Sequence, residues 1–288
     1  MNRKGSRVGR QKPERLEVPN VVFVSDTHCG CQMGLCPPEG VRLDGGGVYI
    51  PSRFQRTMAV WWQEAWDDFV PQATRGEPYA VVHVGDALDG VHHGSVTQVS
   101  HNIEDQFRIA EEALAPRIAK ATHYWHIRGT EAHVGKSAMY EEMIAKRLGA
   151  KKDSDGNHSR QELRLRLGNR LIHVAHHIGT SSSPYSQATA LQKEAVNSFL
   201  ETGRWGDPSF DLIVRGHRHT WSEVSWAGER GRIIVCVVPS WQGKTPFVYK
   251  LDRLQQPQFG LVVARLVDGE LFTRAFIRRI EPPREERV

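Results

Sequence analysis

Apolar runs and apolar stripes alternate along the first half of the chain, and the two periods point to different elements. Asn20–Ser25 is an apolar run ending at Asp26, Tyr79–Val84 ends at Gly85-Asp86, and His123–Ile127 ends at Arg128-Gly129. Short apolar runs bounded by turn residues predict buried strands. Arg53–Val70 instead carries Phe54, Met58, Trp61, Trp62, Ala65 and Phe69 at helical spacing. That spacing predicts one helix, with the aromatic stripe in the core. Asn102–Ala115 and Ser137–Leu148 predict further helices, the second closed by Gly149.

The second half is richer in strands. Glu162–Leu167 and Arg170–Ala175 predict a hairpin across Gly168-Asn169. A helix is expected over Ser186–Leu200 and a strand over Phe210–Val214, ending at Gly216. Ile233–Val238, Leu261–Leu266 and Leu271–Ile277 predict further strands, the last two joined at Asp268-Gly269. A βαβ-like first half beside a strand-rich second half implies an α/β (α+β) protein with two packed sheets and helices outside.

Composition adds limits. No apolar run approaches the roughly 18 residues needed to cross a bilayer. The basic N-terminus is not followed by the apolar core of a secretory signal. A globular, soluble chain results, with no membrane partner and cytoplasmic location as the default. Net charge is +5 over 288 residues, of which +4 falls in residues 1–18, where Arg3, Lys4, Arg7, Arg10, Lys12 and Arg15 face only Glu14 and Glu17. Residues 1–18 therefore read as a basic, disordered tail able to touch a polyanion, residues 19–280 as the folded domain, and residues 281–288 as a polar C-terminal tail.

Five short motifs sit at or just beyond predicted strands: Asp26-Thr27-His28; Gly85-Asp86 with Asp89; Arg128-Gly129-Thr130-Glu131-Ala132-His133; His176-His177; and Gly216-His217-Arg218-His219. Carboxylates mixed with imidazoles suit borderline divalent ions better than Mg or Ca. In extended chain, residues two apart point the same way, so Asp26 and His28 can converge on one ion, and His217 and His219 can do the same. Asp86 can bridge two ions through its two oxygens. His176 lies in phase with Ile172 and Val174, which favours it over His177. Two ions about 3.5–4 Å apart polarise a phosphoryl oxygen and supply a nucleophile. A histidine outside their shells, His133, is the candidate proton donor. Arg128, Glu131, His92 and His93 are candidate substrate contacts; His92 and His93 read equally well as polar loop residues. Cys29, Cys31 and Cys36 read as free thiols in a loop beside the site. The insertion holding Gly45–Gly47 is a candidate lid.

The order D-x-H, G-D-x-x-D, G-N-H-[DE], H, G-H-x-H is the signature of the calcineurin-like metallophosphoesterases, and the chain resembles them over about residues 20–245. The wording around Ser25-Asp26-Thr27-His28-Cys29-Gly30 and Asp89-Gly90 with His92-His93 is similar to that of phage- and prophage-encoded members. The resemblance implies a four-layer αββα sandwich. It implies a first metal on Asp26, His28, Asp86 and His219, and a second on Asp86, the residue at the Asn position, His176 and His217, with Asp89 orienting the catalytic histidine. The chain departs from the pattern at Thr130, which stands where the family has Asn; either Thr130 or Glu131 takes that ligand's place.

The expected function is a dinuclear metal-dependent phosphoesterase acting through a metal-bridging hydroxide, as a phosphodiesterase or nuclease. Two divalent transition-metal ions are expected, Mn first, with Fe, Zn, Ni and Co as alternatives. The expected partner is a phosphoester substrate such as DNA or a nucleotide. A phosphomonoesterase on nucleotides or phosphoproteins, and a catalytically weak interaction protein on the same fold, are the competing readings.

Overall fold

The computed structural model describes residues 13–92, 94–179, 187–228, 231–251 and 256–281. Its strands, in chain order, are β1 (Glu14–Leu16), β2 (Asn20–Val24), β3 (Val41–Arg42), β4 (Val48–Tyr49), β5 (Tyr79–His83), β6 (Tyr124–Ile127), β7 (Ser159–Arg160), β8 (Glu162–Leu167), β9 (Arg170–Ala175), β10 (Leu212–Arg215), β11 (Ser222–Gly228), β12 (Gly231–Val237), β13 (Phe259–Val267) and β14 (Glu270–Arg278). The α-helices are α1 (Arg53–Glu64), α2 (Val70–Thr74), α3 (Ile103–Ile118), α4 (Glu131–Val134), α5 (Met139–Arg147), α6 (Gln187–Trp205) and α7 (Pro246–Leu251).

Two six-stranded sheets result, ordered β14-β13-β2-β5-β6-β7 and β1-β8-β9-β10-β12-β11. Both are mixed. In the first, β2, β5, β6 and β7 run parallel while β13 and β14 are antiparallel. In the second, β9, β10 and β12 are parallel and the β8–β9 and β11–β12 hairpins are antiparallel. The alternation in Glu162-Leu163-Arg164-Leu165-Arg166-Leu167 places the three leucines inside. They meet Val21, Phe23, Val82, Trp125 and Ile127 of the other sheet in one core between the sheets. Fully burying a side chain of this size contributes about 1.5–3 kcal/mol. The outer face of the first sheet packs Val22, Val24 and Val81 against Met58, Trp62, Phe107 and Ile144 of α1, α3 and α5. Leu191 and Ala195 of α6 cover Ile213 and Val235 of the second. The layers are therefore helix, sheet, sheet, helix: the αββα sandwich expected.

Several elements differ from the sequence expectation. The helix over 53–70 is really α1, a π turn over Ala65–Phe69, and α2 through Thr74. Pro71, which has no N–H to donate, lies two residues beyond the widened turn, in the first turn of α2. Residues 14–16, placed in the disordered tail, form an edge strand parallel to 165–167, with Leu16 buried. The candidate lid contains the β3–β4 hairpin, which is tied to α3: the Asp44 N–H donates to Asp105 Oδ1 at 2.6 Å. The helix expected from Ser137 begins at Met139, because Ser137 and Ala138 adopt positive φ. β11 has no counterpart among the expected strands; its pairing with β12 is long, but most of it is exposed and only Val224 of its apolar side chains packs on the core. No described helix is long and apolar enough to cross a membrane.

Candidate metal centre

The five motifs follow the C-terminal ends of β2, β5, β6, β9 and β10, on both sheets. The register explains their meeting: Val24 pairs with His83, and Val214 with Val174, so the chain leaves neighbouring strands at the same level. The loops then lock together. The Asp26 N–H donates to Gly85 O, the His28 N–H to Asp86 O, and the Gly216 N–H to His176 O, at 2.9–3.0 Å. Gly85 has φ +93°, and a Cβ there would lie 2.6 Å from His176 Nδ1. At Gly129 a Cβ would lie 2.0 Å from Asp86 Oδ1. Side chains are excluded where strands from the two sheets bring their ligands together.

Asp26, His28, Asp86, His217 and His219 all have positive φ, five of the nine non-glycine residues that do so among the described residues. Left-handed backbone costs on the order of 1–3 kcal/mol at each such residue. The residues two apart are therefore not extended, as the spacing argument supposed. Left-handed turns aim them, and they aim His217 and His219 to different places. His219 Nε2 is 3.2 Å from Asp26 Oδ1, and its ring is 5.2 Å from that of His28. His217 Nδ1 lies instead 3.2 Å from Thr130 Oγ1.

One group joins Asp26, His28 and His219; a second joins Asp26, Asp86 and His176; a third joins His28, Asp86 and His133; and a fourth joins His176, His177 and His217. In each, the ligand atoms lie within 4.8 Å of one another. Asp86 belongs to two of these groups. Its Oδ2 is 3.1 Å from His176 Nε2 and accepts from Thr130 Oγ1 at 3.0 Å, while Oδ1 accepts from the Thr130 N–H at 2.7 Å. Thr130 Oγ1 is also 3.2 Å from His176 Nε2.

The donor set fits divalent ions. Asp26 Oδ1 and His28 Nε2 are buried and make no hydrogen bond among the described residues. Burial of that kind is costly unless something binds there. His176 Nδ1 is 2.6 Å from Val84 O. A carbonyl can only accept, so Nδ1 carries a proton, and Nε2, which faces the Asp86 carboxylate, is the nitrogen left for a metal ion, the arrangement usual for metal-binding histidine. Burial raises the Asp26 and Asp86 carboxyls, but His176 holds both below the usual carboxylate range. Burial likewise disfavours charge on His176, yet Asp86 and Asp26 raise it to about 10. The two carboxylates therefore favour positive charge in the pocket. His217 is pushed down to about 4 by burial and by His176, which keeps it neutral and able to ligate.

The other candidates fall unevenly. His133 Nδ1 is 2.6 Å from the Asp89 backbone carbonyl, whereas the Asp89 carboxylate is 4.0 Å away. Asp89 thus meets His133 through its backbone carbonyl, and its carboxylate turns elsewhere. It faces His28 Nδ1 at 3.3 Å and His92 Nε2 at 3.6 Å, and accepts from Gln98 Nε2 at 2.6 Å and Gln242 Nε2 at 3.2 Å. Gln98 and Gln242 escaped the sequence reading, since nothing local marks a glutamine that reaches a distant carboxylate. His92 packs edge-on to His133 at 4.5 Å; His93 lies outside the described residues. Glu131 opens α4 and is exposed. Arg128 joins none of these groups. Its Nε donates to Ser159 Oγ at 2.9 Å, and it lines a separate cleft of about 420 Å³ with Glu14, Asp153 and Arg160. Cys29, Cys31, Cys36 and Cys236 are free and buried, and burial pushes Cys31 and Cys36 up to about 12.

No family model matches the chain, and no curated protein matches it. Solved structures do. A Vps29 double mutant from Entamoeba histolytica matches at 11% identity and TM-score 0.35, over 90% of this chain and 99% of that one. Vacuolar protein sorting 29 from Cryptosporidium parvum matches at 14% identity and TM-score 0.35, over 91% and 99%. A metallophosphoesterase from Sphaerobacter thermophilus matches at 9% identity and TM-score 0.37, over 91% and 88%.

Proposed function

We propose that the chain is a dinuclear metal-dependent phosphoesterase of the calcineurin-like kind, acting on phosphodiesters. The observation that carries this reading is Asp86. It is grouped with Asp26 and His176 on one side and stands near His28 on the other, as a carboxylate shared by two ions would. Asp26, His28, Asp86 and His219 would hold the first ion, and Asp86, His176 and His217 the second, beside Thr130. Divalent ions bound there supply a nucleophile at neutral pH and neutralise charge at phosphorus. The chain's own residues do the rest. The Asp89 carboxylate lies 3.3 Å from His28 Nδ1, which leaves Nε2 as the ligating nitrogen. His133 donates Nδ1–H to the Asp89 carbonyl, which leaves Nε2 to exchange a proton with the departing oxygen. His92, against His133, borders the same space.

A panel of bis(p-nitrophenyl) phosphate, p-nitrophenyl phosphate, and single- and double-stranded DNA, with Mn, Co and Zn, tests this reading. Metal-dependent hydrolysis of the diester, lost together with bound metal in Asp86→Asn, is expected. Faster cleavage of the monoester would replace the diester preference. Two bound ions with no turnover would favour an interaction protein on this fold.

A further inference from the structure

Thr130 leaves the second ion short of a neutral donor. Its hydroxyl hydrogen already goes to Asp86 Oδ2, and a hydroxyl is a poorer ligand than an amide carbonyl. The structure offers a replacement that strand alternation hides. β9 ends at Ala175, so the alternation that would turn His177 away from His176 ends with it. The His177 ring lies 4.9 Å from that of His176 at an interplanar angle of 89°, and 5.2 Å from that of His217. One nitrogen from each of the three lies within 4.8 Å of the other two. The Thr130 hydroxyl touches two members of this trio, His176 and His217, at 3.2 Å each. His176 and His177 are thus not alternatives for one place.

We propose that the second ion is held by three imidazoles, with His177 supplying the donor that Thr130 cannot. The proposal rests on the two-metal reading. It also sets the metal class: three imidazole nitrogens favour Zn, Co or Ni over Mn or Mg at this position. His177 is exposed, so its loss leaves the core untouched.

Cobalt and zinc titrations of the whole chain, followed by calorimetry and by the visible spectrum of Co(II), test it. The wild type is expected to bind two ions. His177→Ala should weaken one binding step at least tenfold, leave the other unchanged, and alter the Co(II) absorption of the weakened site. Thr130→Asn in the His177→Ala background should restore that step. Wild-type affinity for both ions in His177→Ala, an equal loss at both, or fewer than two ions bound by the wild type would overturn the proposal. Hydrolysis of bis(p-nitrophenyl) phosphate by the cobalt-loaded wild type is read separately. Two ions with no turnover would remove the phosphoesterase reading and leave the ligand assignment standing.

Discussion

The Glu141 carboxylate of α5 accepts a hydrogen bond from the Ala87 N–H at 3.2 Å, within the loop that carries Asp86 and Asp89. Its other oxygen meets His126 Nε2, and His126 Nδ1 lies 2.6 Å from the Tyr124 hydroxyl. His126 stacks on His83, whose Nε2 is 3.1 Å from Thr27 Oγ1. Thr27 donates in turn to Ala87 O at 3.0 Å. The peptide groups on both sides of Ala87 are therefore held by buried side chains that also tie down the Asp26–His28 turn.

Removing Glu141 leaves a buried imidazole and a buried N–H without their partner. Breaking a buried, hydrogen-bonded pair by deleting one member costs about 3–5 kcal/mol. Glu141→Ala is expected to lose stability of that order in urea unfolding, and Glu141→Gln, which keeps an acceptor for Ala87, distinctly less. A loss under about 1 kcal/mol for Glu141→Ala would show that the network does not brace the loop.

A second α5 carboxylate gives a pH signature. Glu142 accepts from the backbone N–H groups of His158 and Ser159, each at 2.8 Å, and from Ser159 Oγ. Burial raises its carboxyl, but these donors outweigh burial and lower it to about 2. The unfolded value is about 4.3. A depressed folded value stabilises above the unfolded one, and the contribution fades as pH falls from about 4.3 toward 2. Glu142→Gln should therefore be less stable than wild type at neutral pH, with the gap narrowing below about pH 4. A gap that stays constant or widens on acidification would contradict this origin.

How much of this was legible in the sequence depended on whether the cause was local. Asp26, Asp86 and His176 could be read because each ends an apolar run, and strand ends are where a buried sheet delivers polar groups. The leucine alternation of β8 could be read for the same reason. The separation of His217 from His219, which the family resemblance implied, could not be read from their spacing, because it depends on left-handed turns at both residues, and a spacing of two suggests one shared target. Nor could the turn of Arg128 toward Ser159, or of the Asp89 carboxylate toward His28. Both depend on partners dozens of residues away or on the packing of β7 beside β6. β1 was hidden by the charges around it, since Glu14 binds Arg160 at 2.7 Å and Trp125 Nε1 at 2.8 Å across the fold.

That placement of β1 changes how the basic leader is tested. A deletion through residue 17 would remove an edge strand. Deleting residues 2–12 removes Arg3, Lys4, Arg7, Arg10 and Lys12 and spares β1. Hydrolysis of a small aryl diester is expected to be unchanged, while affinity for DNA at low salt falls. Each phosphate that the shortened chain no longer neutralises reduces the slope of log affinity against log salt by about 0.9. An unchanged slope, measured by fluorescence anisotropy on a labelled duplex, would remove any role of the leader in binding polyanions.

His133 tests the division between ligand and proton donor. It is grouped with His28 and Asp86 on one side and with Asp89 and His92 on the other, so position alone allows either role. Its hydrogen bond decides how the ring is set. Nδ1–H is given to the Asp89 carbonyl, and burial, with the neighbouring His28, lowers the ring below the ordinary histidine range. Such a ring gives up its proton readily once it holds one. His133→Ala should therefore keep its metal content and lose turnover. General acid catalysis contributes roughly 10²–10⁴ in rate, with the largest share where the leaving group is poor. The loss should be small for p-nitrophenyl esters and large for alkyl or nucleoside esters, read as kcat across a leaving-group series alongside elemental analysis. An equal loss for every leaving group, together with one missing ion, would make His133 a ligand and pass the proton-donor role to His92.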